Sequence, residues 1–197
     1  KKIILLIFIL FSIFGCTQNY NWGWYILNPR LDNGASNLQF LLSGLTVTIL
    51  ISLISIFFSI LLGFFVSLTG LSSRKILIWI NRSYIEIFRS VPLLVLLLWV
   101  YYGLPIVFGI SFGPFVAGII SLSISDSAFE AEIFRAGLQS IPKGQKDAAK
   151  SLGLNKIKEM RFIILPQALR IILPAIGNQF VYVLKMSSLV SMIGLAD

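Results

Sequence analysis

The 197-residue sequence contains no histidine, one cysteine and only eight acidic residues. Each shortage removes a class of chemistry. Without histidine, a serine nucleophile lacks its commonest general base, and a zinc site of the HExxH type cannot be assembled. One cysteine builds neither a disulfide framework nor a thiolate cluster. The sequence has no GxxxxGK[ST] phosphate loop, so it carries no visible means of hydrolysing ATP. No catalytic residues, metal site or cofactor are expected. Charge is also scarce, at 12% of residues, where a soluble domain carries roughly 25%.

What is present is apolar sequence. Hydrophobic residues make up 57% of the chain, and apolar runs long enough to cross a bilayer recur along it. In hydrocarbon only helices or closed barrels satisfy the backbone. These runs are continuous and do not alternate, so the expected class is all-α integral membrane, a multi-pass helical bundle.

The net charge of +8 would suggest nucleic acid in a soluble protein, but its distribution argues against that. Arg74, Lys75, Arg82 and Arg89 form one cluster, and the stretch from Arg135 to Arg170 holds another. Leu104–Gly118 has no cation. Basic loops stay on the cytoplasmic side, which fixes the orientation.

Residues 1–16 read as a signal-like segment. KKIILLIFILFSIFGCT has two lysines and an apolar stretch of 12 residues, short for a span and suited to a secretory core. Its end, IFGC, resembles a bacterial lipobox with Cys16 as the lipidated residue; the alternative is an uncleaved anchor with an ordinary thiol. Residues 17–37 form a polar, turn-rich extracytoplasmic linker with Trp22, Trp24 and Tyr25 suited to a membrane interface. Residues 38–197 form the transmembrane domain. Four spans are predicted: Leu38–Thr69, Val91–Val107, Phe115–Leu138 and Leu165–Leu184. Ile76–Phe88 is expected at the inner interface, Pro92 as a break and Pro174 as a kink.

Between the third and fourth spans lies a basic cytoplasmic loop, residues 139–165. Ser140 and Pro142 mark a helix start, and Gly153 marks its stop. Ile141, Gln145, Ala148, Ala149 and Leu152 recur at helical spacing, and the alanines would let another backbone approach closely. A short helix of this kind suits docking into a groove of a partner protein; the alternative is a membrane-surface helix whose lysines rest on anionic lipid.

Asp147-Ala148-Ala149, followed by Gly153 and Ile163-x-Leu165-Pro166, resembles the EAA signature of permease subunits of ATP-binding-cassette importers. YIEIFRSVPLLVLL (Tyr84–Leu97), YYGLP (Tyr101–Pro105), AEIFRAGLQSIPKGQ (Ala131–Gln145) and LPQALR (Leu165–Arg170) are similar to the polar amino-acid permeases among them. The resemblance runs from about Leu41 to Gly194. It implies a type I importer-like bundle in a bacterial cell membrane, moving a small polar amino acid inward by alternating access. Its implied partners are ABC ATPase subunits supplied in trans, an extracytoplasmic solute-binding protein and a second permease subunit, with membrane lipid around them. Gln145, Asp147, Ala148, Ala149, Leu152, Gly153, Ile163, Leu165 and Pro166 would couple to the ATPase. The chain departs from the family pattern in three places. Asp147 stands where Glu is usual, Lys185–Leu189 reads KMSSL where an acidic residue and Thr are common, and the family's last membrane helix is missing beyond Asp197.

Polar residues inside a membrane bundle are candidates for a translocation path. Ser123, Asp126, Ser127 and Glu130 share one face of the third predicted span, and Asn178, Tyr182 and Lys185 share one of the fourth. At ~1.5 Å per residue Asp126 and Asn178 both fall near mid-membrane, so the two stripes are expected to face each other. Hydrogen bonding of Asp126 to a neighbouring helix is the competing account. Glu132 and Arg135, three apart, are expected to pair. An ion-gradient-driven carrier is the rival function, with Asp126 and Glu130 carrying protons.

Overall fold

The computed structural model describes residues 23–31 and 33–195. The signal-like segment with Cys16, and Trp22, lie outside the described residues. Contacts divide the chain into Lys1–Leu42 and Ser43–Asp197. In the first unit, Trp24–Leu27 forms a 3₁₀ turn, and the Asn37 side chain donates to the Ile26 carbonyl at 3.0 Å.

The described residues form helices and turns, with no strand among them. Helix α1 spans Gly34–Gly70, 37 residues without one charged side chain. The amphipathic α2, Lys75–Ser90, meets α3, Leu93–Phe108, at a bend of 98°. The bend falls at Val91-Pro92, because Pro92 has no N–H to continue the ladder and pushes Val91 into extended backbone. Helix α4 is Pro114–Gln139, α5 is Lys143–Ser151, and α6 runs continuously over Lys156–Ile193.

Two helices, α1 and α6, are long and apolar enough to cross a membrane, and α2 with α3 supplies a third if the bent pair is one span. The fourth predicted crossing, α4, has 26 residues, about 39 Å at 1.5 Å per residue. Its length suffices for a crossing, and Ser123, Ser125, Asp126, Ser127 and Glu130 interrupt its apolar sequence. Helix α6 begins nine residues before its predicted start of Leu165, at Lys156, because Asn155 caps it by accepting from the Lys158 N–H at 2.9 Å. Pro174 lies within that helix.

Two π-helical turns, Trp99–Gly103 and Met160–Ile164, each end two residues before a proline, Pro105 and Pro166. A proline removes one donor from the helical ladder, and wider i→i+5 bonding is one way the chain absorbs that loss.

Apolar packing centres on Ile51, Leu97, Val100, Leu122, Val183 and Val190, with a second cluster of Ile141, Ile164, Ala168 and Ile172. Lipid tails are as apolar as these side chains, so close packing and interhelical hydrogen bonds must hold the bundle. Small residues permit it. A methyl group on Gly137 of α4 would meet the Ile172 side chain of α6 at 2.3 Å.

Candidate functional site

Helix α1 carries Ser52, Ser55 and Ser59 at helical spacing, all fully buried. They lie along α4, which brings Ser123, Asp126, Ser127 and Glu130. The Ser123 hydroxyl donates to the Ser55 carbonyl at 3.1 Å, and the Ser59 hydroxyl donates to Asp126 Oδ2 at 2.5 Å. From α6, Gln179 Nε2 donates to Asp126 Oδ1. Ser127 donates to the Ile124 carbonyl, and its oxygen lies 2.6 Å from the Tyr84 hydroxyl of α2. Glu130 is wholly buried, and neither carboxyl oxygen has a hydrogen-bond partner.

This arrangement gives Asp126 the hydrogen bonds to neighbouring helices that the competing account expects. Asp126 is only 2% exposed, and Ser123, Ser127 and Glu130 are buried with it, so the four lie at a helix junction. Their hydrogen bonds tie α1, α2, α4 and α6 together, each worth about 0.6 kcal/mol on average in a membrane. The predicted facing partner is also replaced. Gln179 meets Asp126, whereas Asn178, Tyr182 and Lys185 are exposed on α6. Tyr182 touches this region only through its ring, 6.3 Å from that of Phe129.

Gln179 and the serines of α1 escaped the sequence reading. Their signal was available: three serines spaced three and four apart in an otherwise apolar run. The pairing of Glu132 with Arg135 is as expected, with the guanidinium bonding both carboxylate oxygens at 2.6 and 3.2 Å.

The cytoplasmic elbow is also rearranged. Pro142 is the residue before α5, and Ser140 ends α4, its hydroxyl turned back to the Gly137 carbonyl at 2.7 Å. Ser140 therefore does not cap α5, because the chain turns between the two helices. Gly153 ends the α5 turn at φ +69°. The predicted single face splits in two. Ile141 and Ala149 are buried, Ala149 at 0% exposure, while Gln145, Ala148 and Leu152 face outward, Leu152 at 76%. Asp147 is exposed, with Lys150 at 3.8 Å. Ile163 is half-buried, and Leu165 and Pro166 are exposed.

The described residues hold no group of three or more side chains suited to a metal ion. The described chain thus combines a bent helix pair, an internal polar junction and a basic elbow in an all-α membrane bundle. The sequence profile of the binding-protein-dependent transport system inner membrane component matches residues 59–197, and the chain belongs to that family.

Within the family its relatives are amino-acid permeases. The arginine transport system permease protein ArtQ of Bacillus subtilis is 40% identical over 170 residues, covering 85% of this chain and 78% of that protein. The putative glutamine transport system permease protein GlnP of Rickettsia prowazekii is 35% identical over 158 residues, covering 80% and 72%. The crystal structure of an amino acid ABC transporter with histidines superposes at a TM-score of 0.78 with 43% identity, covering 83% of this chain and 76% of that one. The inward-facing MetNI methionine ABC transporter shares the fold, at a TM-score of 0.67 and 24% identity. The protein is thus a permease subunit of an ATP-binding-cassette importer, which displaces the ion-gradient carrier.

Proposed function

We propose that this permease passes a polar amino acid inward across a bacterial cell membrane, in several membrane crossings, on energy supplied by separate ATPase subunits. The relatives named for arginine and glutamine support the substrate class. Solute arrives from an extracytoplasmic binding protein, as the family description implies.

The observation that carries the coupling is the split elbow. Ile141, just before α5, belongs to the second apolar cluster and Ala149 within α5 is fully buried, while Gln145, Ala148 and Leu152 are exposed. A rigid helix with an outward apolar tip transmits force if a partner grips it. Asp147, Gly153, Ile163, Leu165 and Pro166 belong to the same segment, which resembles the EAA signature. ATP-driven closure of the ATPases would pull on Ala148 and Leu152 and rock the spans.

The solute path follows the exposed stripe Asn178, Tyr182 and Lys185. Polar side chains in a membrane face protein or water, not lipid. A second permease subunit across this stripe would cover it.

The test is reconstitution with a partner ATPase and an extracytoplasmic binding protein. Uptake of arginine or glutamine should require ATP, stop with vanadate and survive an ionophore. Uptake that collapses with the ionophore and ignores vanadate overturns the reading.

A further inference from the structure

Helices α2 and α4 enclose a second feature at their basic ends, a half-open cleft of about 560 Å³. Gly70 and Asn81 are among its lining residues. Asn81 is buried and donates to the Val66 carbonyl at 2.7 Å, which seats α2 against the end of α1. The walls carry Arg82, Glu86 and Arg89 from α2 and Glu132 and Arg135 from α4.

The charges are unevenly used. Arg135 is occupied, bonded to both oxygens of Glu132 and to Gln139 Oε1 at 3.1 Å. Among the described residues, no ion pair engages Arg82, Glu86 or Arg89. Arg89 lies 5.1 Å from the centre of the Phe129 ring, which orients its guanidinium without neutralising it. Arg82, Glu86 and Arg89 are spaced four and three apart, so they stand along one helical face. A carboxylate is thus flanked by a guanidinium one turn to either side.

We infer that this cleft binds an α-amino acid from the cytoplasmic side, separately from the path along α6. The inference rests on the proposed function for the identity of the ligand. A guanidinium matches a carboxylate in a two-point fork, and Glu86, one turn away, matches an adjacent ammonium. The volume is ordinary for a small-molecule site. Both basic clusters lie on the cytoplasmic side, so the cleft meets the delivered product and not the incoming solute. Occupancy joins α2 to α4 across their open end, and accumulated amino acid therefore slows further import.

The test uses the complete permease–ATPase complex in vesicles whose lumen corresponds to the cytoplasm. The probes are L-arginine and L-glutamine, with agmatine as the arginine analogue lacking the carboxylate. Loading the lumen with the transported amino acid should lower the initial uptake rate, and agmatine should not. Arg82→Gln and Glu86→Gln should each weaken binding to the complex, measured without binding protein, about tenfold, the loss of one charge-assisted contact. Both variants should take up solute into empty vesicles at the wild-type rate. Equal affinity in wild type and variants, agmatine binding as tightly as arginine, or displacement of arginine by anionic lipid alone overturns the inference. Failure of the transport reading is separate, since it appears as no uptake of either amino acid into empty vesicles.

Discussion

Gly63 of α1 lies directly against Glu130 of α4. A methyl group placed on it would sit 2.6 Å from the Glu130 Cβ and 2.9 Å from the Ser127 carbonyl oxygen. Gly63→Ala must therefore part the two helices, at a cost of about 1–3 kcal/mol. Gly177→Ala, on α6 with nothing within 4 Å, is the control. Thermal unfolding in detergent should show a lowered midpoint for the first and none for the second.

Asp126 accepts from Ser59 and Gln179, so its removal leaves a buried hydroxyl and a half-buried amide without their partner. Asp126→Ala should destabilise the permease by about 1–3 kcal/mol for each group left unsatisfied. Asp126→Asn keeps an acceptor for Gln179 and should retain uptake with unchanged substrate preference. Altered preference at unchanged stability would place Asp126 on the solute path.

The two sides of α5 should respond differently. Leu152→Asp or Ala148→Arg, on the outward side, should weaken ATPase co-purification by roughly 30-fold, the loss of a binding anchor worth about 2 kcal/mol. Stability of the isolated permease should not change. Ala149→Leu, at a fully buried position, should lower stability instead. Normal ATPase capture by Leu152→Asp together with Ala148→Arg would remove the elbow as the grip.

Gly153 adopts φ +69° with open space where a side chain would stand. Gly153→Ala therefore tests conformation alone and should cost about 1–2 kcal/mol. Gly153→Asn should cost less, because asparagine tolerates the left-handed region. Equal losses in calorimetric stability would mean that the position is limited by something other than backbone geometry.

Much of the bundle was legible because apolar runs and prolines act locally. The bend at Pro92 and the stop at Gly153 follow from single residues. The start of α6 was misplaced because the basic residues Lys156, Lys158 and Arg161 read as loop, while the Asn155 cap had already begun the helix. The π turns before Pro105 and Pro166 were missed, although the repeated Leu-Pro pair marks both. Helical periodicity put Ser123, Asp126 and Glu130 on one face correctly, but it does not say what that face meets.

The sequence by itself determined an all-helical membrane chain and the elbow between α4 and α6, because length, hydropathy and turn residues are properties of a single segment. Only the tertiary structure decided that Gln179, and not the adjacent Asn178, reaches Asp126, and that Ala149 is buried while Ala148 is exposed. Neighbouring helical positions differ by about 100°, so which of two adjacent residues is buried depends on the rotation that packing imposes on the helix.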